Sequence, residues 1–327
     1  MSDLFMVIWS AVLSVGVIIV KQCKNNEEKS GNMSVDVLLK NITMGTGEGP
    51  HWEESTQSLL FVDIVTQHVK RWSYNTGTVD EIKLENSVGF AIPRKSRGVV
   101  VGLGKTVSHL EWDTRKVTTL IEFDKNCETR MNDAKCDSRG RLWAGTMGID
   151  RWPDLPHMGE GSLYCVDTDG TVKKCKEKTN ISNGLAWSSD NTTMFYIDSV
   201  PGTLWAYDYD IETGTASNVR TVLDFENLGS PDGMTIDTDG KVWVACYGAC
   251  CVVRIDPNTG KLLQKINFPA KRITSCCFGG PNYDELFVTS AAAGADESEM
   301  KQFPLAGSLF KVTGLGVKGY PPNIYQG

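Results

Sequence analysis

The sequence has little histidine and no paired-cysteine metal motif. Its four histidines (His51, His68, His109 and His157) include no H-x-x-x-H pair, so a three-histidine zinc site is not expected. No C-x-x-C occurs, which argues against a zinc knuckle. G-x-S-x-G, P-loop and H-E-x-x-H patterns are all missing, and with them the usual serine-hydrolase, nucleotide and zincin chemistries. There is no basic run and no basic-aromatic interleaving, and the net charge is −7, so nucleic acid is excluded as a partner. From about residue 35 onward no sustained 3.6-residue apolar period appears. A doubly wound α/β fold is therefore excluded, because its crossover helices are not there. Gly314 to Gly319 matches G-x-G-x-x-G, but Pro321 and Pro322 follow where a helix would be needed, so the segment reads as a loop.

What is present describes a folded soluble protein, with 41% hydrophobic and 22% charged residues. The ten cysteines are irregularly spaced, and the adjacent pairs Cys250–Cys251 and Cys276–Cys277 are poor geometry for a mutual bond. Mostly free, buried thiols are expected. Residues 4–20 are nearly all apolar and are stopped by Lys21 and Lys24. That length is at the lower limit for a spanning helix. A membrane anchor or uncleaved signal, a cleaved signal and a soluble extension are the alternatives, and the compartment follows them: membrane-anchored or secretory, alternatively cytoplasmic. Association with a membrane through residues 4–20 is one expectation. The chain divides into 1–33, a hydrophobic segment with a polar linker, and 34–327, a single repeated domain.

One strand type recurs six times, at 58–63, 98–103, 141–146, 194–199, 241–246 and 285–290. With Leu60, Val100, Trp143, Phe195, Trp243 and Phe287 as markers, the steps are 40, 43, 52, 48 and 44 residues. Propeller blades repeat at about 40–45 residues, and longer steps mean loop insertions. A second strand follows each, and most end in a glycine turn such as Tyr74-Asn75-Thr76-Gly77 or Asp167-Thr168-Asp169-Gly170. The fold class expected is all-β, a six-bladed β-propeller.

The register also selects a site. Packing positions precede the markers at Trp52, Ile92, Cys136, Trp187, Ile236 and Phe278; four residues earlier stand Glu48, Val88, Asn132, Asn183, Asp232 and Thr274. Equivalent positions of a propeller surround one axis, so these side chains are expected to converge. Two carboxylates and two amides make an all-oxygen cluster suited to a hard cation, with Ca²⁺ tolerating the most irregular geometry. Gly49, Gly184 and Gly233 directly follow three of them, allowing close backbone approach. His51 reads as packing beside Trp52, and the tryptophans as blade core.

Several segments resemble the SMP-30/gluconolactonase/luciferin-regenerating enzyme family: Gly47-Glu48-Gly49-Pro50-His51-Trp52, Arg130-Met131-Asn132-Asp133, Trp143-Ala144-Gly145-Thr146-Met147, Ile181-Ser182-Asn183-Gly184-Leu185-Ala186-Trp187 and Pro231-Asp232-Gly233-Met234. The match spans about residues 44–319, and the tail at 278–282 and 312–319 is similar to the arthropod regucalcin and luciferin-regenerating branch. The resemblance implies a six-bladed propeller with one catalytic divalent cation, Ca²⁺ first, with Zn²⁺, Mn²⁺ or Mg²⁺ as alternatives. It implies metal ligands at Glu48, Asn183 and Asp232 and substrate contacts at Arg130 and Asn132. Asp150 stands where vertebrate members carry a sugar-contacting glutamate, a shorter acid that leaves the substrate open. The implied activity is hydrolysis of a small-molecule lactone, gluconolactonase-like, with Asp232 as general base toward an activated water. A calcium-binding regulator and a luciferin-regenerating type of activity stand as alternatives.

Overall fold

A computed structural model describes residues 33–149 and 158–327. The apolar segment at 4–20 and Asp150 lie outside the described residues. Among the described residues no helix is long and apolar enough to cross a membrane.

The protein is all-β, built from small antiparallel sheets, consistent with a β-propeller. Four sheets have four strands each, and an eight-stranded sheet completes the set. Within the larger sheet the two halves meet at a single backbone pair, Tyr247 with Arg272. The last strand, Leu309–Thr313, pairs with the first, Ser34–Leu39, in the register Ser34↔Thr313 and Val35↔Val312. That pairing joins distant parts of the chain, and no local pattern in the sequence marks it. A short helix, Glu297–Gln302, is the main interruption; Asp296 caps it by accepting from the Glu299 amide at 2.8 Å.

Burial falls outward across each sheet. In Ser58–Asp63 every residue is buried, and its middle, Leu59 to Val62, is a continuous apolar run. The edge strand Lys116–Glu122 is almost wholly exposed, and the charges of Lys116 and Glu122 at its ends discourage pairing with other chains. Hydrophobic clusters fill the spaces between successive sheets. One joins Leu60, Val62 and Val69 to Val88, Val99 and Val101. Another joins Trp52 and Phe61 to Cys277, Phe287 and Leu309, so the end of the chain packs against its beginning. Trp52, Trp143 and Trp243 are fully buried in these clusters, as expected of core residues. The nine cysteines among the described residues are all free.

The strands that position the site are Gly47–Glu53, Val88–Pro93, Thr129–Cys136, Ser182–Trp187, Ser230–Ile236 and Arg272–Gly279. Each packs on the next, and Gly47–Glu53 also packs on Arg272–Gly279, which completes a circuit. All six share one irregularity. The ladder register shifts between Glu48 and His51, Val88 and Ala91, Met131 and Ala134, Ser182 and Leu185, Pro231 and Met234, and Ile273 and Cys276. A bulge at one phase frees side chains from the alternating pleat and re-aims them together.

Candidate metal centre

The bulged phase carries the polar residues selected by the repeat. The loops leading into two of them are tied by buried aspartates. Asp63 accepts from the Gly45 and Thr46 amides, both at 3.0 Å, just before Glu48. Asp198 accepts from the Asn180 and Ile181 amides, both at 2.9 Å, just before Asn183. Close approach of neighbouring strands depends on glycine: a Cβ on Gly184 would lie 2.6 Å from the Asp232 carbonyl oxygen, and one on Gly233 2.0 Å from Ser275 Oγ.

At this level side chains stitch adjacent strands. Asn132 Nδ2 donates to the Ser182 carbonyl at 3.0 Å, and Thr274 Oγ1 donates to the Gly47 carbonyl at 2.6 Å. Asn183 Nδ2 donates to Ser199 Oγ at 3.0 Å and to Asp232 Oδ1. Glu48 also hydrogen-bonds Asp232 through its carboxyl, while Glu48 Oε2 accepts from the Gly49 amide at 2.8 Å. Glu48, Asn183 and Asp232 thus come from three separate strands to one point, all but 6%, 4% and 8% buried.

The electrostatics of that point are strained. Burial, with the negative charge of Asp232 and then Asp133 nearby, holds the Glu48 carboxyl well above the usual carboxylate range. Burial and Asp133 likewise raise Asp232 well above its ordinary value, although Asn183 opposes the rise. Asp133 is itself raised by burial, with Lys135 pulling it back. Asn183 Oδ1 is buried without any hydrogen-bond partner. An orphaned amide oxygen and carboxylates that repel each other fit a hard divalent cation, which would satisfy the first and neutralise the second. Among the described residues no group of three or more His, Cys, Asp or Glu is placed to hold a metal. The cluster here is of another kind, two carboxylates with an amide.

Arg130 and Asn132 lie together beside this group. Arg130 Nη1 donates to Asn132 Oδ1 at 2.9 Å and to the Met131 carbonyl at 3.1 Å, and both side chains are buried. Sequence reasoning missed Asp133, whose carboxyl presses on both Glu48 and Asp232. The bulge between Met131 and Ala134 is what lets two consecutive residues serve the same site. Ser199, which accepts from Asn183, was also missed; it follows Asp198 without a motif of its own. His51, read from the sequence as packing beside Trp52, has a further feature. It is buried, its Nε2 has no partner, and it lines a void of about 20 Å³ with Asp133 and Lys135. Burial, aided by the charge on Lys135, lowers its pKa to about 3, so it is neutral near pH 7.

A model of the SMP-30/gluconolactonase/LRE-like region matches residues 46–292. Regucalcin of Danio rerio is 47% identical over 282 residues, covering 86% of this chain and 95% of its own length. Among solved structures, a luciferin-regenerating enzyme superposes with a TM-score of 0.83 at 35% identity, covering 90% of this chain and 100% of that one. A calcium-binding protein, regucalcin, from Agrobacterium tumefaciens superposes with a TM-score of 0.82 at 26% identity, over 89% of this chain and 96% of that one.

Proposed function

The chain belongs to the SMP-30/gluconolactonase/LRE-like family, and from that premise we propose that it is a divalent-metal-dependent hydrolase of small sugar lactones, working at Glu48, Asn183 and Asp232. The observation that carries the reading is the buried meeting of two carboxyls driven above their ordinary pKa with an amide oxygen that has no partner. Six blades belong to the same proposal, the eight-stranded sheet being read as two four-stranded units joined at Tyr247 and Arg272. The tail at 278–282 and 312–319 supports an arthropod-type branch.

Glu48, Asn183 and Asp232 would hold the cation, with Ca²⁺ the first candidate because it accepts irregular oxygen sets. Bound there, a divalent cation supplies Lewis-acid polarisation of a carbonyl and makes an attacking water more acidic. Asp232 accepts the proton of that water as general base. Arg130 orients ring hydroxyls and faces the charge that develops on the carbonyl oxygen, while Asn132 fixes the guanidinium from one side and is itself held by Ser182. Asp150 is retained as a sugar contact on the strength of the resemblance alone.

The test is lactone hydrolysis by the purified chain with Ca²⁺, Zn²⁺, Mn²⁺ or Mg²⁺ in turn, against a chelated control. Turnover that needs a metal and disappears in Asp232→Ala is expected. Turnover that survives Asp232→Ala with metal present would overturn the mechanism. The second reading, a calcium-binding regulator of the kind the regucalcin name denotes, draws on the same acidic cluster, and zero turnover with every metal would put it ahead.

A further inference from the structure

The repeat has a second ring of equivalent positions, four residues beyond the first: Trp52, Ile92, Cys136, Trp187, Ile236 and Phe278. Each bulge makes the four residues between the rings span three on the partner strand, as Glu48↔Val62 and Trp52↔Leu59 show, and at about 3.3 Å per residue this ring lies roughly 10 Å farther along the same strands. Cys136, Trp187, Ile236 and Phe278 line a cavity of about 410 Å³ there. Neither Glu48, Asn183 nor Asp232 borders it. Its size falls within the range of about 300–1,000 Å³ typical of small-molecule sites.

The cavity is built, with a rim held in place from two sides. The tail bearing Tyr320, Pro321, Pro322 and Asn323 crosses its edge. Backbone bridges pin that tail at Gly319 to Asp237 and at Tyr325 to Arg94, and Asn323 Nδ2 donates to the Cys136 carbonyl at 3.3 Å. Two consecutive prolines stiffen the span, so a ligand pays little to order it.

Its polar groups point to the chemistry of an occupant. His51 and Trp187, 6% and 8% exposed, both line the cavity, and His51 Nε2 and Trp187 Nε1 have no hydrogen-bond partner. Buried polar groups left unsatisfied are costly; an acceptor on a ligand would relieve Trp187 Nε1, and His51 Nε2 in the tautomer that carries its proton there. Lys135 adds a positive charge at the floor, where its Nζ donates to the Met234 carbonyl at 2.6 Å. No aspartate or glutamate is part of the lining. Aromatic and apolar groups (Trp187, Phe278, Tyr320, Ile236 and the two prolines) share the walls with uncharged polar ones, among them Ser138, Ser188, Asn191 and Thr235.

We propose that this far mouth is a second ligand site, distinct from the Glu48–Asn183–Asp232 cluster, for a small planar aromatic monocarboxylate. The ring lies against Trp187 and Phe278, and the carboxylate faces Lys135 and accepts from His51 and Trp187. The site needs no metal and no lactone turnover, so it stands or falls separately from the hydrolase reading.

The experiment titrates the full chain with 2-naphthoate in chelator, following tryptophan fluorescence and calorimetry, with the neutral 2-naphthalenemethanol as the uncharged comparison. Saturable one-to-one binding of the carboxylate is expected. Lys135→Gln, which removes the charge but retains a donor for Met234, should weaken it tenfold or more and leave the alcohol unaffected. Ile236→Trp should abolish both by filling the cavity. Ser189→Trp, at the exposed rim, repeats that test if the first variant melts early by circular dichroism. The proposal fails if wild type shows no saturable binding, or if Lys135→Gln binds the carboxylate as well as wild type. It fails equally if Asp232→Asn abolishes binding while the cavity-filling variants do not, since the ligand would then sit at the other end.

Discussion

Replacing Asp232 with asparagine exchanges one oxygen for nitrogen at nearly constant shape, so it isolates charge. In wild type Asp232 shares a buried site with Glu48 and Asp133, and all three carboxyls are raised above their ordinary pKa. Like charges about 4 Å apart repel by about 4 kcal/mol at an effective dielectric of 20. Retained protons relieve part of that, so Asp232→Asn should stabilise the metal-free fold by about 1–3 kcal/mol at pH 7. The bond that Asn183 Nδ2 makes to Oδ1 survives the change. For a domain of this size the melting temperature should rise by roughly 2–5 °C in chelator. With cation the order should invert. At a thousandfold excess over its Kd, a cation stabilises wild type by about 4.1 kcal/mol, more than the variant's advantage in chelator, and the variant, one ligand charge short, should gain far less. Calorimetry of both proteins with EDTA and with each divalent cation reads the crossing directly. A variant that is less stable than wild type in chelator, yet gains as much from the cation, would refute the argument that this cluster is a repulsive site awaiting positive charge.

Gly184→Ala should reach the same site from the backbone. Its Cβ would lie 2.6 Å from the Asp232 carbonyl, so the strand must shift, costing about 1–3 kcal/mol, and the cation-dependent rise in melting temperature should shrink. Asp237→Ala tests the scaffold far from the chemistry. Asp237 accepts from Trp243 Nε1 at 2.9 Å and Arg254 Nε at 2.7 Å, and from the Asp239 and Lys241 amides at 3.0 and 2.9 Å. Removing it strands all four donors, and denaturant unfolding should show a loss of about 3–5 kcal/mol. His51 supplies a pH test. Its pKa is lowered from 6.5 to about 3, so the unfolded chain takes up a proton there first, and the His51 contribution is lost as pH falls from about 6.5 toward 3. His51→Phe should remove a slope of about 1.4 kcal/mol per pH unit in that window, read from stability against pH for both proteins. Parallel curves would show that His51 titrates normally in the fold.

The spacing of Leu60, Val100, Trp143, Phe195, Trp243 and Phe287 was enough to reveal a repeated all-β architecture, because each repeat writes the same buried strand into the local sequence. The same register brought out Glu48, Asn183 and Asp232, which do meet, since equivalent bulges aim equivalent side chains inward. Asp133 stayed hidden because its role depends on the bulge that lets it act beside Asn132, and a bulge has no signature in residue types alone. The pairing of Ser34–Leu39 with Leu309–Thr313 was equally invisible: it joins strands more than 250 residues apart, and neither names its partner. His51 and the cavity at the far ring were decided by tertiary structure as well. Sequence could mark Trp187, Ile236 and Phe278 as apolar, but whether they pack shut or leave space depends on where the tail carrying Pro321 and Pro322 crosses them. Periodicity fixes which residues face the same way; only the assembled chain fixes how far apart they stand and what charge they feel.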